Sequence, residues 1–320
     1  VGRIHMFGVL IIPFIMIAMA FGRKGFRGIV PYLLFAGVST GAVMFVLSNF
    51  VGAEVTSMGT GFLSILLSVA YVRLVGIRTP EEYRHHAGAQ QRKYSAVKAL
   101  SPYIFMMVIL PAVRYGVPAL FENGFAVMCT FGYIFWVDIV ILICGVLGAV
   151  TLGVGRKQYM EVCGETAKNV LPVFITIGSL LVVSYLMQSD RTGMMNLIAT
   201  DVAAVVGPFY PAAAVLIGSS GAFVTGTGLG SNIMFADMHM QAAASLGINP
   251  ITVFAGQNAG ASLGNLICPN NTVAACATVG EEGNEGKVMR KTLVAFGIIL
   301  VLYMTLTMLY TYVLFPHFGA

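Results

Sequence analysis

The sequence predicts an all-α integral membrane protein, a polytopic helix bundle with a re-entrant helical hairpin and a discontinuous transmembrane helix. Three observations lead there. Of 320 residues, 58% are hydrophobic and only 10% charged, with a mean hydropathy of +0.85. A soluble domain carries roughly a quarter charged residues, so this chain has too few charges to wet a globular surface, and its solvent is lipid. Apolar runs near the roughly 20 residues needed to cross a bilayer recur along the chain. Finally, the apolar stretch between residues 191 and 281 is broken repeatedly by Gly, Pro, Asn, Ser and Thr.

The regular spans come first. Apolar runs cover 4–22, 28–50, 57–77, 99–118, 126–154, 170–188 and 292–315. Their connections alternate in charge. Arg23, Lys24 and Arg27 fill the first, and the second, around Glu54, has no Lys or Arg. The third holds Arg78, Arg84, Arg92, Lys93 and Lys98; the fourth, around Glu122, again has none. Arg156, Lys157 and Lys168 follow, and later Lys287, Arg290 and Lys291. The positive-inside bias places 23–27, 78–98, 155–169 and 281–291 in the cytoplasm, with Ala320 outside. The formal net charge of +5 therefore bears on topology and anionic headgroups, and nucleic acid is not an expected partner. The five cysteines, Cys129, Cys144, Cys163, Cys268 and Cys276, show no metal spacing and read as reduced, mostly buried small hydrophobes.

The broken region needs a different reading. A hairpin with arms at 208–224 and 231–246 enters, turns at TGTGLGSN near mid-membrane and returns. One crossing follows, from Pro250 to Val279, interrupted within Gly256–Asn265. The chain thus divides into 1–98 (scaffold spans with the basic loop 78–98), 99–169 (scaffold helices) and 170–320. The last part holds the hairpin (208–247), the broken helix (250–279) and the last helix (292–315). Irregular backbone at that depth is tolerated only when buried in protein or lining a wet cavity. Secondary transporters hold their substrates at such breaks, so the bundle is of transporter type.

The tip, Gly226-Thr227-Gly228-Leu229-Gly230-Ser231, resembles a dinucleotide fingerprint but lacks the third glycine and the strand–helix–strand unit around it. Its glycines let backbone approach a ligand. Ser231 or Asn232 is a good N-cap, and the unpaired amides of that helix start favour an anion. The isolated Gly37, Gly41 and Gly145 read instead as places where helices pack closely in lipid. Asp237, one and a half turns into the second arm, is an intramembrane carboxylate and so a functional candidate. His239 lies two residues on, facing elsewhere. Asp138 reads as an interfacial cap. Arg73 and Arg114 snorkel from span ends, and His85 and His86 sit in a solvated loop.

From Gln158 onward the chain resembles the L-lactate permease family of bacterial monocarboxylate transporters. The landmarks are Gly164-Glu165-Thr166, Leu171-Pro172, Ile177-Gly178, Ser231-Asn232, Phe235-Ala236, Ala259-Gly260 and Gly264. Cys268-Pro269-Asn270, Ala274-Ala275-Cys276-Ala277, Val279-Gly280 and Glu285-Gly286 follow. Earlier, Pro13-Phe14, Ser48-Asn49-Phe50, Gly52-Ala53-Glu54 and Ser101-Pro102 keep the family's order. The resemblance is patchy between 115 and 140. It implies proton-coupled uptake of lactate-like 2-hydroxy monocarboxylates at the bacterial inner membrane, by proteins built from two inverted halves. This chain resembles the C-terminal portion of such a protein. Two positions depart from the family pattern: Gly228 stands where an Asp is usual, and Asn265 where a Lys is usual.

The expected substrate site is built from Thr227, Gly228, Ser231, Asn232, Gln257, Asn258, Ser262, Asn265 and Asn270, with Asn271 and Thr272 starting the second half-helix. The expected cargo is a small organic anion such as L-lactate or glycolate. Asp237 and His239 are the proton-coupling candidates, and Na⁺ coupling or an inactive half of a longer transporter are the alternatives. A homodimer and contacts with membrane lipid are admissible. The sequence holds no HExxH, no G-x-S-x-G and no acidic metal cluster, so neither an enzyme nor a cofactor nor a metal is expected.

Overall fold

The computed structural model describes residues 1–77, 94–120, 137–189, 193–281 and 283–317. Residues 78–93 with His85 and His86, the start of the 126–154 span with Cys129, and Asp190-Arg191 lie outside them. Among the described residues every regular element is helical. The chain forms two compact units, Arg23–Val170 on one hand and Val1–Gly22 with Leu171–Ala320 on the other. The first helix thus groups with the last part of the chain.

In the Arg23–Val170 unit, α2 (Val30–Val46) and α3 (Ala53–Leu74) pack together, as do α5 (Ser101–Pro111) and α7 (Val137–Leu152). The short α4 (Ala96–Ala99) precedes α5, and α6 (Val117–Leu120) follows it. Both α2 and α5 end in a π-helical turn, at Leu47–Val51 and Ala112–Gly116, and the Tyr115 hydroxyl donates to Val51 O. Leu110, Val140 and Cys144 form the core, with Met58 and Phe105 against it. Gly37 and Gly41 are buried on α2, as expected for close packing. Gly145 is not used that way: a Cβ there would meet nothing within 4 Å. Gly148 makes the close approach instead, against Pro102.

The polar stretch 155–169, expected as a connection, is helical from Arg156 on. It opens α8, which runs from Arg156 to Gln188 without interruption. A fall in hydropathy marks the edge of lipid, but it does not end a helix where helix formers continue.

The other unit contains α1 (Gly2–Phe21), α9 (Met194–Val206), the hairpin arms α10 (Tyr210–Thr225) and α11 (Gly228–Leu246), the broken crossing α12 (Pro250–Gly264) and α13 (Pro269–Val279), and α14 (Glu285–Leu309). Gly207, at φ +55°, and Pro208 turn the chain between α9 and α10, so that α9 packs on α11. Five helices, with their continuations, are long and apolar enough to cross a membrane among the described residues: Gly2–Phe26, Val30–Val51, Val55–Leu74, Leu197–Thr225 and Glu285–Leu314. Their exposed side chains are largely apolar, among them Met16, Phe50, Leu66, Val205 and Val301. That surface suits hydrocarbon rather than water.

Tight packing holds the broken region together. Gly256, Gly260 and Gly264 recur every four residues and so share one face of α12. A Cβ on Gly260 would collide with the backbone of Val215, and one on Gly264 with the backbone of Ser219. A Cβ on Gly256 would strike the Thr307 side chain of α14, 2.9 Å from its Oγ1. From the facing side, Gly218 of α10 presses on Gln257 O. Small residues in register at four-residue spacing let two backbones touch, and in lipid such contact drives helix association.

Candidate functional site

The hairpin turns on two residues. Gly226, at φ +75°, ends α10 in the left-handed region that favours glycine. Thr227 is extended and caps α11, its Oγ1 accepting from Gly230 N at 2.9 Å. The cap expected at Ser231 or Asn232 is therefore Thr227, and α11 begins one turn earlier than expected. The reason is local: Thr227 provides a hydroxyl three residues before a free amide, the geometry an N-cap needs. Ser231, freed from capping, is wholly buried and donates to Gly218 O across the hairpin at 2.8 Å.

The crossing breaks later than expected. α12 runs unbroken through Gly256 and Gly260 to Gly264, and the irregular stretch is Asn265–Cys268. Pro269, which has no amide hydrogen and biases Cys268 away from helix, breaks the crossing; the glycines are packing residues. Asn249 caps α12, accepting from Ile251 N at 2.9 Å, with Pro250 in the first helical position.

The two interruptions meet. A Cβ placed on Gly226 would lie 3.6 Å from Asn270 Nδ2 and 3.7 Å from Cys268 Sγ. One on Gly228 would lie 3.8 Å from the Ala261 backbone. The starts of α11 and α13 thus lie beside each other. Helix geometry leaves the amides of Gly228 and Leu229, and those of Asn270 and Asn271, without a partner in their own helices. Such amides attract negative charge.

Behind the tip a chain of buried polar groups links three helices. Gln257 Nε2 donates to Ser231 Oγ at 3.0 Å, with Ser231 O and Asn232 Oδ1 at 3.3 and 3.4 Å. Its Oε1 lies 2.9 Å from His239 Nε2, and His239 Nδ1 lies 2.9 Å from the Tyr210 hydroxyl. The tautomer follows. With Gln257 Nε2 facing acceptors, Oε1 must accept, so His239 donates from Nε2. Nδ1 then accepts from Tyr210, and a neutral imidazole satisfies both neighbours. Ser231, His239, Gln257 and Tyr210 are all 0% exposed, the condition under which an unpaired polar group costs most.

The structure sorts the expected site residues. Ser231, Asn232 and Gln257 are joined, with His239 behind them; Thr227, Gly228 and Asn270 surround the tip. Asn265 opens the break, its carbonyl accepting from Asn271 Nδ2 at 3.3 Å. Thr272 is buried at the start of α13 and donates to Cys268 O at 3.1 Å. Ser262 lies elsewhere. It donates to Asn258 O and lines a cavity of about 450 Å³ between α1, α12 and α14, walled by Ile12, Ile15 and Leu263 with His5 and Tyr303. Asp237 is half-buried and outside the chain of polar groups; Asp138 and Asp201 are exposed. Tyr210, Gly218 and Cys268 were missed. Their partners lie far off in sequence, and the one local sign was the Pro after Tyr210 that starts the first arm.

A hairpin whose tip abuts a broken crossing, in a bundle of membrane-spanning helices, defines the polytopic transporter class of fold. The sequence profile of the L-lactate permease family matches residues 1–132 and 121–315, and the chain belongs to that family. It is 23% identical over 256 residues to an L-lactate permease of Streptococcus iniae, covering 76% of this chain and 53% of that protein. It is 24% identical over 340 residues to the glycolate permease GlcA of Escherichia coli (strain K12), covering 91% and 60%. To an L-lactate permease of Bacillus subtilis (strain 168) it is 23% identical over 365 residues, covering 97% and 64%. The chain thus spans between 53% and 64% of the length of these relatives. No solved structure matches it.

Proposed function

We propose that the protein is a secondary active transporter of a small organic anion, a 2-hydroxy monocarboxylate such as L-lactate or glycolate, moved in symport with H⁺. The observation that carries this reading is the meeting of the two interruptions, with Gly226 beside Cys268 and Asn270. Two helix starts facing one place offer four backbone amides to a carboxylate, and Asn270 Nδ2 adds a fifth donor. Neutral donors hold an anion without a fixed counter-charge, which suits a carrier that must also release it. The printed names of the relatives, L-lactate and glycolate permeases, support the substrate class.

For the proton, Asp237 is the better candidate. His239 is held by two hydrogen bonds that a neutral ring satisfies. Protonating it would make Nδ1–H the donor to the Tyr210 oxygen and leave the buried Tyr210 O–H without its acceptor. Asp237 is half-buried and has no such commitment among the described residues. Na⁺ is the second reading. Three carbonyls at the break already accept a donor: Leu263 O from Leu266 N, Gly264 O from Ile267 N, and Cys268 O from Thr272 N. That occupancy favours a proton over a sodium ion.

Uptake of radiolabelled L-lactate by membranes carrying the whole natural protein tests the reading. Uptake is expected to be faster at pH 6 than at pH 8, to collapse with a protonophore, and to lose its pH dependence in Asp237→Asn. Uptake indifferent to pH and driven by an imposed Na⁺ gradient moves the assignment to the second reading.

A further inference from the structure

One acceptor at the junction of tip and break is left over. Asn265 Oδ1 is buried and has no hydrogen-bond partner among the described residues. Ala261 meets Gly228 of the tip, and Asn265 follows Ala261 by four residues, one turn further along the same face of α12. Beyond it, Cys268 and Asn270 meet Gly226. Asn265 therefore stands between the two contacts that bring tip and break together. The carbonyls of Leu263, Gly264, Asn265 and Cys268 each accept a hydrogen bond. The amides of Gly228, Leu229, Asn270 and Asn271 are donors with no helical partner.

We infer that Asn265 Oδ1 reads the 2-hydroxyl of the substrate, accepting its hydrogen while the helix-start amides hold the carboxylate. The inference rests on the carboxylate-carrier reading above and adds the residue that sets its substrate class. A 2-hydroxy acid brings an O–H next to its carboxylate and satisfies the stranded oxygen. A 2-oxo acid presents an oxygen with no hydrogen, so two acceptors face each other. A plain fatty acid presents a methylene and leaves Oδ1 unpaired. A site built to hydrogen-bond a hydroxyl rejects analogues that lack it, because its own buried group is then stranded.

The test is competition against radiolabelled L-lactate uptake by unlabelled L-lactate, pyruvate and propionate, in the wild type and in Asn265→Ala. One neutral hydrogen bond corresponds to roughly tenfold in affinity. The wild type is expected to prefer lactate over propionate and pyruvate by about that factor, and Asn265→Ala to bring both ratios to about one. Asn265→Gln, which keeps an amide acceptor, recovers part of the preference. An Asn265→Ala protein that still prefers lactate overturns the inference alone, since Oδ1 then pairs with something other than substrate, such as a buried water. Should the variant fail to reach the membrane, thermal stabilisation of purified wild type by the three acids decides: equal shifts overturn the inference, a larger one for lactate supports it. A wild type that neither binds nor moves any of the three overturns the carrier reading and the inference together.

Discussion

Two glycine-rich stretches of this chain look alike in sequence and behave oppositely in the fold. At Gly226 and Gly228 the glycines open the backbone: Gly226 takes a left-handed turn and Gly228 meets its neighbour only at ordinary contact distance, while Gly230 packs closely on the Thr225 side chain. In Gly256–Gly264 they close it: Gly260 and Gly264 bring α12 so near α10 that a single added carbon would overlap main-chain atoms, and Gly256 lies against Thr307 of α14. Glycine content alone says that backbone comes close to something. Spacing says to what. Glycines two apart after a helix end leave amides open, and a repeat of four inside a helix presses one helix on another.

Substitutions grade this contrast. The largest effect is expected for Gly260→Ala, whose methyl runs into the Val215 carbonyl with rigid helix on both sides. Overpacking of that kind costs about 3 kcal/mol or more, so thermal unfolding in detergent should show a large loss of stability. A variant that melts like wild type would mean the two helices can part. Next comes His239→Leu, which strands the Tyr210 hydroxyl and Gln257 Oε1 behind the tip. About 2 kcal/mol of destabilisation is expected, read by the same melts, and Tyr210→Phe in the same protein should recover part of it. The smallest effect is expected for Gly228→Ala, where the new carbon lies 3.8 Å from the Ala261 backbone and the helix gains a better former. Stability should stay within about 0.5 kcal/mol or rise slightly; a large loss would place Gly228 with the closing glycines.

The same contrast explains how much was legible beforehand. The hairpin, its approximate arms and the start of α12 at Pro250 could be read because Pro, Gly and Asn act locally: they fix φ, remove a donor or cap an end. The break was placed too early because Gly256, Gly260 and Gly264 were counted as breakers. Their four-residue period, which fits an unbroken helix, was the sign that they were not. Gly145 was chosen for packing where its neighbour Gly148 does the work, since which face of α7 meets α5 depends on a partner distant in sequence. The helix through 155–169 was taken for a connection because hydropathy reports the solvent and not the backbone. Gln257 and Ser231 were named as polar groups of the site. That they, His239 and Tyr210 form one chain could not be read, because their positions come together only once three helices pack.

The close-packed face of α12 also limits how the gene can change. Glycine codons reach, by one base change, only residues that carry a side-chain carbon, and at Gly260 and Gly264 that carbon falls on the main chain of α10. No single missense step at either codon leads to a residue that fits. A side chain at either position fits only if α10 moves away, and changing the facing residue does not by itself make room, because what they meet is backbone that every amino acid shares.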